Sequence, residues 1–543
     1  MATYTRANAW NKGGTFANPD LLWYAKGVGK MQQRPLNDTS SWWFFAAIHG
    51  EYVTPASLKN PNAFPWSKIP GPPAVPTKPL PAKKVYALFW NQCQHGTWFF
   101  LPWHRGYLLA LEAQVRADVV SLGGPANWAL PYWNYFGPNA EYNIPPAFTV
   151  PTLPGGAPNP LLATARYGPE DSADPTNVWV ATAAGIQNHP KLPSDLFYGP
   201  VTLDSLKDSE FAGDDRVPEF GGPQTGFSHS GQTHGDLESS AHDLVHVYAG
   251  GSSPNGSIPG LMSVPALAAL DPIFYLHHAN IDRLWAVWND APAKPPNLNP
   301  AVASWLNGPA SAGGGEFVMP KPDGSQSVYT PQQMTSLAPL DYTYDDLAQP
   351  APAVRVAVGR VARPEAAAKP PSRGKGGAVT AGKNVELVGA SQKKMAIQDS
   401  GTRTTVKLHP EVRRSLTARL AGAPAGAAPE RVILNLENVR GVRDAHVLSV
   451  FLNLPPDAKP GDHPELLAGS VALFGLREAS AKSGAHGGRG LNFALDLSRS
   501  MDAQQLSELL ASDSIDVTLV PHRSVKKEAR ITVGKISIFR KSR

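Results

Sequence analysis

Two histidines four residues apart stand in the run Glu238-Ser-Ser-Ala-His242-Asp243-Leu-Val-His246. On a helix they share one face about a turn apart and can bind one metal ion. A second run comes after it, Asp271-Pro272-Ile-Phe-Tyr-Leu-His277-His278-Ala-Asn-Ile-Asp282-Arg-Leu-Trp285. It offers a third imidazole from His277 or His278. It also opens on helix-start residues, Asp271 as N-cap and Pro272 at the first helical position. Three neutral imidazoles without cysteine suit copper, zinc or iron, and do not suit calcium or magnesium. The competing reading makes His242 and His246 a solvated helix face.

A second histidine set lies nearer the N-terminus. The apolar run from Trp42 to Ile48 reads as a helix, capped by Asp38 or Thr39 and ended by Gly50, with His49 at its C-terminal end. Further on, Cys93-Gln-His95-Gly-Thr leads into Phe100-Leu-Pro102-Trp-His104-Arg105. Pro102 opens a helix with Leu108, Leu111, Glu112 and Val115 at helical spacing, so His104 falls in its first turn and His95 in the preceding loop. The two trios are His49, His95 and His104, and His242, His246 and one of the His277–His278 pair. They suggest two metals sharing one pocket between packed helices.

The elements that position these residues occupy the first part of the chain. With 543 residues, two or more domains are expected. All 14 Trp lie between Trp10 and Trp305, which puts a boundary after the aromatic-rich part. Residues 1–348 read as the helical, loop-rich domain. Residues 349–377 have the Pro/Ala/Lys composition of a linker. Residues 378–543 carry short β-like runs, Thr404–Leu408, Arg431–Leu436, His446–Leu454, Ser470–Phe474, Leu491–Leu495, Ile515–Val520 and Ile531–Ile538, several with period-two alternation, which predict a β-sandwich or barrel. Residues 1–349 hold 19 Lys/Arg against 27 Asp/Glu, and residues 350–543 hold 30 against 17. The basic residues are scattered among strand-like runs without interleaved aromatics. That favours a basic domain docked on an acidic one over nucleic-acid binding. One cysteine excludes an intrachain disulfide. No secretory signal and no membrane-spanning apolar run is visible, so a cytoplasmic protein off the membrane is expected, and a homo-oligomer is compatible with the sequence.

These motifs together resemble the tyrosinase and polyphenol oxidase family. The resemblance rests on Cys93-Gln-His95 with Phe100-Leu-Pro-Trp-His104-Arg105, on His242-Asp-Leu-Val-His246 with Gly250-Gly251, and on the Asp271–Trp285 run. Tyr342-Thr-Tyr344 resembles the motif that closes the family's catalytic domain. The resemblance implies a four-helix-bundle domain holding two copper ions, with dioxygen as co-substrate. His49, His95 and His104 would hold the first copper. His242, His246 and His278 would hold the second, and Asp282, four residues after His278, would orient it. Cys93 would form a thioether to His95. Glu238 would hold a water near the metals, and Asp243, where many phenol-hydroxylating members have Asn, could accept a proton. Met262 or Ser263 would be the gate over the second metal. The C-terminal part is similar to that of plant-type polyphenol oxidases, where the domain covers the pocket and inserts a side chain. Phe474 is the candidate plug.

The activity implied is ortho-hydroxylation of small phenols and oxidation of o-diphenols to o-quinones. Catechol or o-aminophenol oxidation without hydroxylation is the narrower alternative. A latent or oxygen-carrying protein with the same ligands, and a zinc hydrolase, are the alternatives of other classes.

Overall fold

In a computed structural model the described residues are 3–189, 197–226, 231–291, 298–309, 315–348, 384–399, 401–421, 430–482, 487–501 and 503–542. The expected linker over 349–377 lies outside them. Five helices frame the site: α1 (Pro19–Gln32), α2 (Trp42–His49), α3 (Phe100–Ser121), α4 (Asp243–Gly250) and α5 (Ile273–Asn289). Two short parallel strands, β1 (Tyr4–Arg6) and β2 (Tyr342–Tyr344), pair beside them.

Local chemistry sets where each helix starts. Ser41, rather than Asp38 or Thr39, caps α2 by accepting from Phe44 N at 3.0 Å. The reason is that Asp38 is engaged in its own turn, accepting from Ser40 N at 2.8 Å. Helix α3 starts at Phe100, two residues before the expected Pro102, because Thr97 Oγ1 accepts from Phe99 N and turns the chain early. Pro102 still sits in the first turn, where its missing N–H costs nothing. Asp271 accepts from Ile273 N at 3.1 Å, although Pro272 is the N-cap and α5 starts one residue later than expected. It is also ion-paired with the buried Arg166. Buried hydroxyls then tie the helices: Tyr107 Oη donates to Phe45 O at 2.7 Å and lies 2.9 Å from Tyr275 Oη, joining α2, α3 and α5.

The C-terminal domain is one antiparallel sheet of eight strands: β3 (Val385–Ala390), β4 (Thr402–Leu408), β5 (Arg431–Val439), β6 (Val447–Leu452), β7 (Leu467–Ala472), β8 (Leu491–Asp496), β9 (Ser514–Pro521) and β10 (Lys535–Lys541). Their order is β7-β6-β9-β4-β3-β10-β5-β8. The sheet nearly closes, since a Cβ on Gly469 of β7 would meet Leu495 of β8 at 3.0 Å. Alternate residues such as Ile515, Val517, Leu519, Ile536 and Ile538 fill its interior. The run expected over Ile531–Ile538 is broken at Gly534. Thr532–Val533 pairs with Met395–Ala396, and only Lys535 onward joins the main sheet. Strand β3 is not among the expected runs.

The two domains meet through charge. Arg431 lies 2.5 Å from Glu219 and 3.8 Å from Asp208. Arg499 pairs with Asp208 and, at 2.8 Å, with Asp236. Lys541 reaches Glu210 at 2.9 Å and Glu219 at 2.7 Å. The acidic members belong to the helical domain and the basic ones to the β domain, as the charge asymmetry predicts. Among the described residues no helix is long and apolar enough to cross a membrane.

Candidate metal centre

Each of the six expected ligands is buried. His49 ends α2, His104 lies in α3, and His278 lies in α5. His242 closes a π-helical turn over Glu238–His242 that runs directly into α4, which carries His246. Single π turns inside helices often mark functional sites. His95 stands on the loop before α3.

The rings form two adjoining triangles. His49, His95 and His104 have centroids 5.1, 5.3 and 5.6 Å apart. His242, His246 and His278 are separated by 4.4, 4.9 and 5.6 Å. His104 stacks on His278 at 4.5 Å and 11°, joining the triangles. Ligand atoms of His242, His246, His277 and His278 lie within 4.8 Å of one another, as do those of His49, His104 and His278, and those of His49, Cys93 and His95.

Backbone carbonyls fix which nitrogen faces inward. The Nδ1 atoms of His49, His104 and His246 meet the carbonyls of Pro265, Phe100 and Met262 at 3.0, 2.8 and 2.7 Å. His242 Nδ1 meets Asp243 Oδ1 at 2.9 Å. In that tautomer Nε2 carries the lone pair. The Nε2 atoms of His104 and His242 are buried without a hydrogen-bond partner among the described residues. Burial pushes His104 down to about 3, and burial with neighbouring imidazoles holds His242 and His278 well below the usual histidine range. Neutral, buried imidazoles with inward lone pairs, and no carboxylate among them, fit a pair of copper ions.

The flanking carboxylates bind protein groups. Both oxygens of Glu238 accept from Gly96 N, at 3.0 and 3.1 Å, which pins the loop carrying His95. Gly96 has φ +60°, and the backbone of Gly231 packs directly against it, so neither position has room for a Cβ. Asp243 lies between two imidazoles: Oδ2 is 2.7 Å from His234 Nδ1 while Oδ1 takes His242. Burial opposes charge on His234, but Asp243 and Glu238 outweigh it and raise the imidazole to about 9. Burial likewise raises both carboxyls.

Three further expected residues are placed as follows. Asp282 makes no hydrogen bond to His278. Its oxygens accept from Arg105, Arg6, Tyr342 and Tyr344, the two tyrosines at 2.6 Å each, so it holds the helices together at the base of the site. Ser263 donates its hydroxyl to the carbonyls of Gly251 and Gly260, both at 2.9 Å. Met262 is fully buried and touches His246 through its carbonyl. His277 joins the second cluster in space, although neither ring nitrogen has a hydrogen-bond partner among the described residues.

Cys93 Sγ is 3.4 Å from His95 Nδ1. Phe474 lies two residues past β7, where Gly475 at φ +79° turns the chain into a short helix over Leu476–Ala479. Its ring stacks on His246 at 4.2 Å and 20°, with edges toward His242 at 5.6 Å and His95 at 6.0 Å.

A family model described as the common central domain of tyrosinase matches residues 39–291, and a model described as a domain of unknown function matches 384–541. The chain is 32% identical to tyrosinase HcTyr1 of Hahella sp. (strain CCB-MM4) over 521 residues, covering 95% of this chain and 96% of that one. It is 28% identical to polyphenol oxidase A1 of Vicia faba over 197 residues, 36% of this chain and 29% of that one. The fold is shared with latent apple tyrosinase at a TM-score of 0.58 and 18% identity, covering 99% of this chain and 98% of that one. It is also shared with latent aurone synthase at a TM-score of 0.56 and 19% identity, covering 100% and 90%. Both solved structures span the helical and the β domain together. Two triangles of neutral imidazoles, on these helices and with full-length similarity to a tyrosinase, make this chain a member of the tyrosinase family of copper oxidoreductases.

Proposed function

We propose that the protein is a polyphenol oxidase of tyrosinase type, acting on small phenols and held latent by its β domain. The observation that carries the reading is the pair of adjoining imidazole triangles closed over by Phe474. His49, His95 and His104 would hold one copper, and His242, His246 and His278 the other. Bound there, the pair would supply dioxygen activation and accept the electrons of an o-diphenol.

The chain's own residues do the rest. Phe100 and Phe274 pack on the imidazoles and hold them in place, and a planar phenol stacks on the face of His246 that Phe474 covers. The phenol takes the place of Phe474 above His246. The Asp243–His234 pair and Glu238 are the groups near the second triangle able to take up the phenolic proton. Cys93, beside His95 in space, is suited to a thioether that would remove the freedom of a loop ligand. Met262, through its carbonyl, sets the angle of His246.

The test is oxygen uptake by copper-loaded full-length protein and by Phe474→Ala, each with tyramine and with catechol. Hydroxylation of tyramine followed by quinone formation supports the reading. Quinone from catechol alone withdraws the hydroxylase claim. Reversible oxygen binding without turnover in either protein makes the chain an oxygen carrier.

A further inference from the structure

The segment from Gly231 to Asp236 belongs to the helical domain by chain order, yet the β domain holds its outer side. Asn492 N donates to Gln232 O at 2.8 Å, and Gln232 Nε2 donates to Gly490 O at 3.2 Å. Thr233 and Asn492 form a parallel bridge. Asp236 pairs with Arg499 at 2.8 Å. On the inner side Gly231 N donates to His95 O, and Asp236 N donates to Glu219 O at 2.7 Å.

His234 hangs between these anchors, 6% exposed, and reaches both carboxylates that flank the imidazole triangles. Its Nδ1 is 2.7 Å from Asp243 Oδ2 and 3.6 Å from Glu238 Oε1. The other oxygen of Asp243 meets His242 Nδ1 at 2.9 Å. Asp243 therefore lies in a relay of three side chains, His234, Asp243 and His242. An aspartate carboxylate turns freely about its last bond unless both oxygens are held. With His234 on one oxygen, the other is fixed toward His242, and His242 is fixed with Nε2 inward. His234 belongs to none of the side-chain clusters among the described residues that could hold a metal ion.

We infer that His234 is a positioning residue for the second metal: it orients Asp243, Asp243 orients His242, and the β domain orients His234. The inference rests on the proposed assignment of His242 as a ligand. Carboxylates that hold a ligating histidine commonly matter 10–100-fold to metal affinity. Asp243 has the geometry of such a group, and His234 is what keeps it there.

The test is a copper titration of the full-length apoprotein against a competing chelator, with thermal melting of each apoprotein alongside. Four proteins are compared: the unaltered chain, His234→Leu, His234→Gln and His242→Ala. The expected result is two copper equivalents in the unaltered chain and weakening of one equivalent by about tenfold or more in His234→Leu. In His234→Gln, whose amide can still donate to Asp243, affinity returns to within about threefold of the unaltered chain. Two equally tight coppers in His234→Leu overturn the inference. So does His234→Gln binding as weakly as His234→Leu with an unchanged apoprotein melt, which also decides the matter if the leucine variant folds poorly. Retention of both coppers by His242→Ala would instead overturn the ligand assignment on which the inference rests.

Discussion

The ring of Phe474 lies on the ring of His246, centroids 4.2 Å apart and planes 20° from parallel. The first side chain belongs to the β domain and the second to the proposed metal centre. A planar phenol bound over the second triangle would need that same face. Phe474→Ala in the full-length protein should therefore raise the initial rate of catechol oxidation at least about tenfold, since it removes the side chain and leaves the domain docked. Removing a buried Phe costs about 3–5 kcal/mol, so a lower melting temperature should accompany the faster rate. A rate no higher than that of the unaltered chain removes Phe474 as the plug.

Glu219 is fully buried and receives both Arg431 and Lys541 from the β domain. Glu219→Gln leaves two cations facing a neutral amide. Breaking a buried pair from one side costs about 3–5 kcal/mol. The variant should show a β domain that separates at lower temperature and a faster basal turnover. Differential scanning calorimetry with a catechol assay on the same sample checks both, and an unchanged thermogram refutes the clamp.

Two neighbouring buried histidines, His446 and His522, lie in the β domain. Burial and Arg443 push His446 down to about 4, and burial and His446 push His522 down to about 3. His522 packs against Tyr248 and Tyr198 of the helical domain, at 5.9 and 6.0 Å. Below pH 6.5 the unfolded chain binds protons at these sites that the folded chain does not, so stability rises with pH through this window. It is fully present above about pH 6.5 and is lost as pH falls toward 4, at up to about 1.4 kcal/mol per pH unit for each histidine. Melting temperatures between pH 7.5 and 5 should fall less steeply in His522→Phe than in the unaltered chain. Parallel curves would count against this source of acid sensitivity.

Cys93 Sγ, 3.4 Å from His95 Nδ1, makes a covalent link to that imidazole sterically accessible. After copper loading in air, the intact chain should be lighter by two hydrogens, and Cys93→Ser should lack the change. Mass spectrometry of the peptide spanning 93–95 decides. A free, alkylatable thiol after turnover refutes the link.

Much of the centre can be read from sequence because its signals are local. Period, caps and motif spacing bring out His49, His104, His242, His246 and the His277–His278 pair, the family resemblance picks His278 from that pair, and His95 stands out beside its glycine. Asp282 is less legible, since its partners Arg6 and Tyr342 lie far from it in sequence and meet it only after the domain closes. His234 shows the same limit. A buried carboxylate at 243 needs a hydrogen-bonding partner, and that requirement is the signal that singles out a nearby upstream histidine. What brings it inward is Asn492, some 260 residues later, which no local pattern reveals. In the β domain, Gly534 divides what reads as one strand, because the chain there leaves a two-stranded sheet for the eight-stranded one.

The pairing of Tyr4 with Tyr342 has a different kind of consequence. The helical domain begins and finishes on neighbouring strands, sealed by the bonds from Arg6, Tyr342 and Tyr344 to Asp282. A unit whose two ends emerge side by side can be transplanted with a single seam, and its chain can be rejoined there and reopened in a surface loop. The helical fold is thus portable, and the chain beyond residue 348 can be exchanged without breaking the bonds of Asp345 and Asp346 to Tyr132 and Arg283.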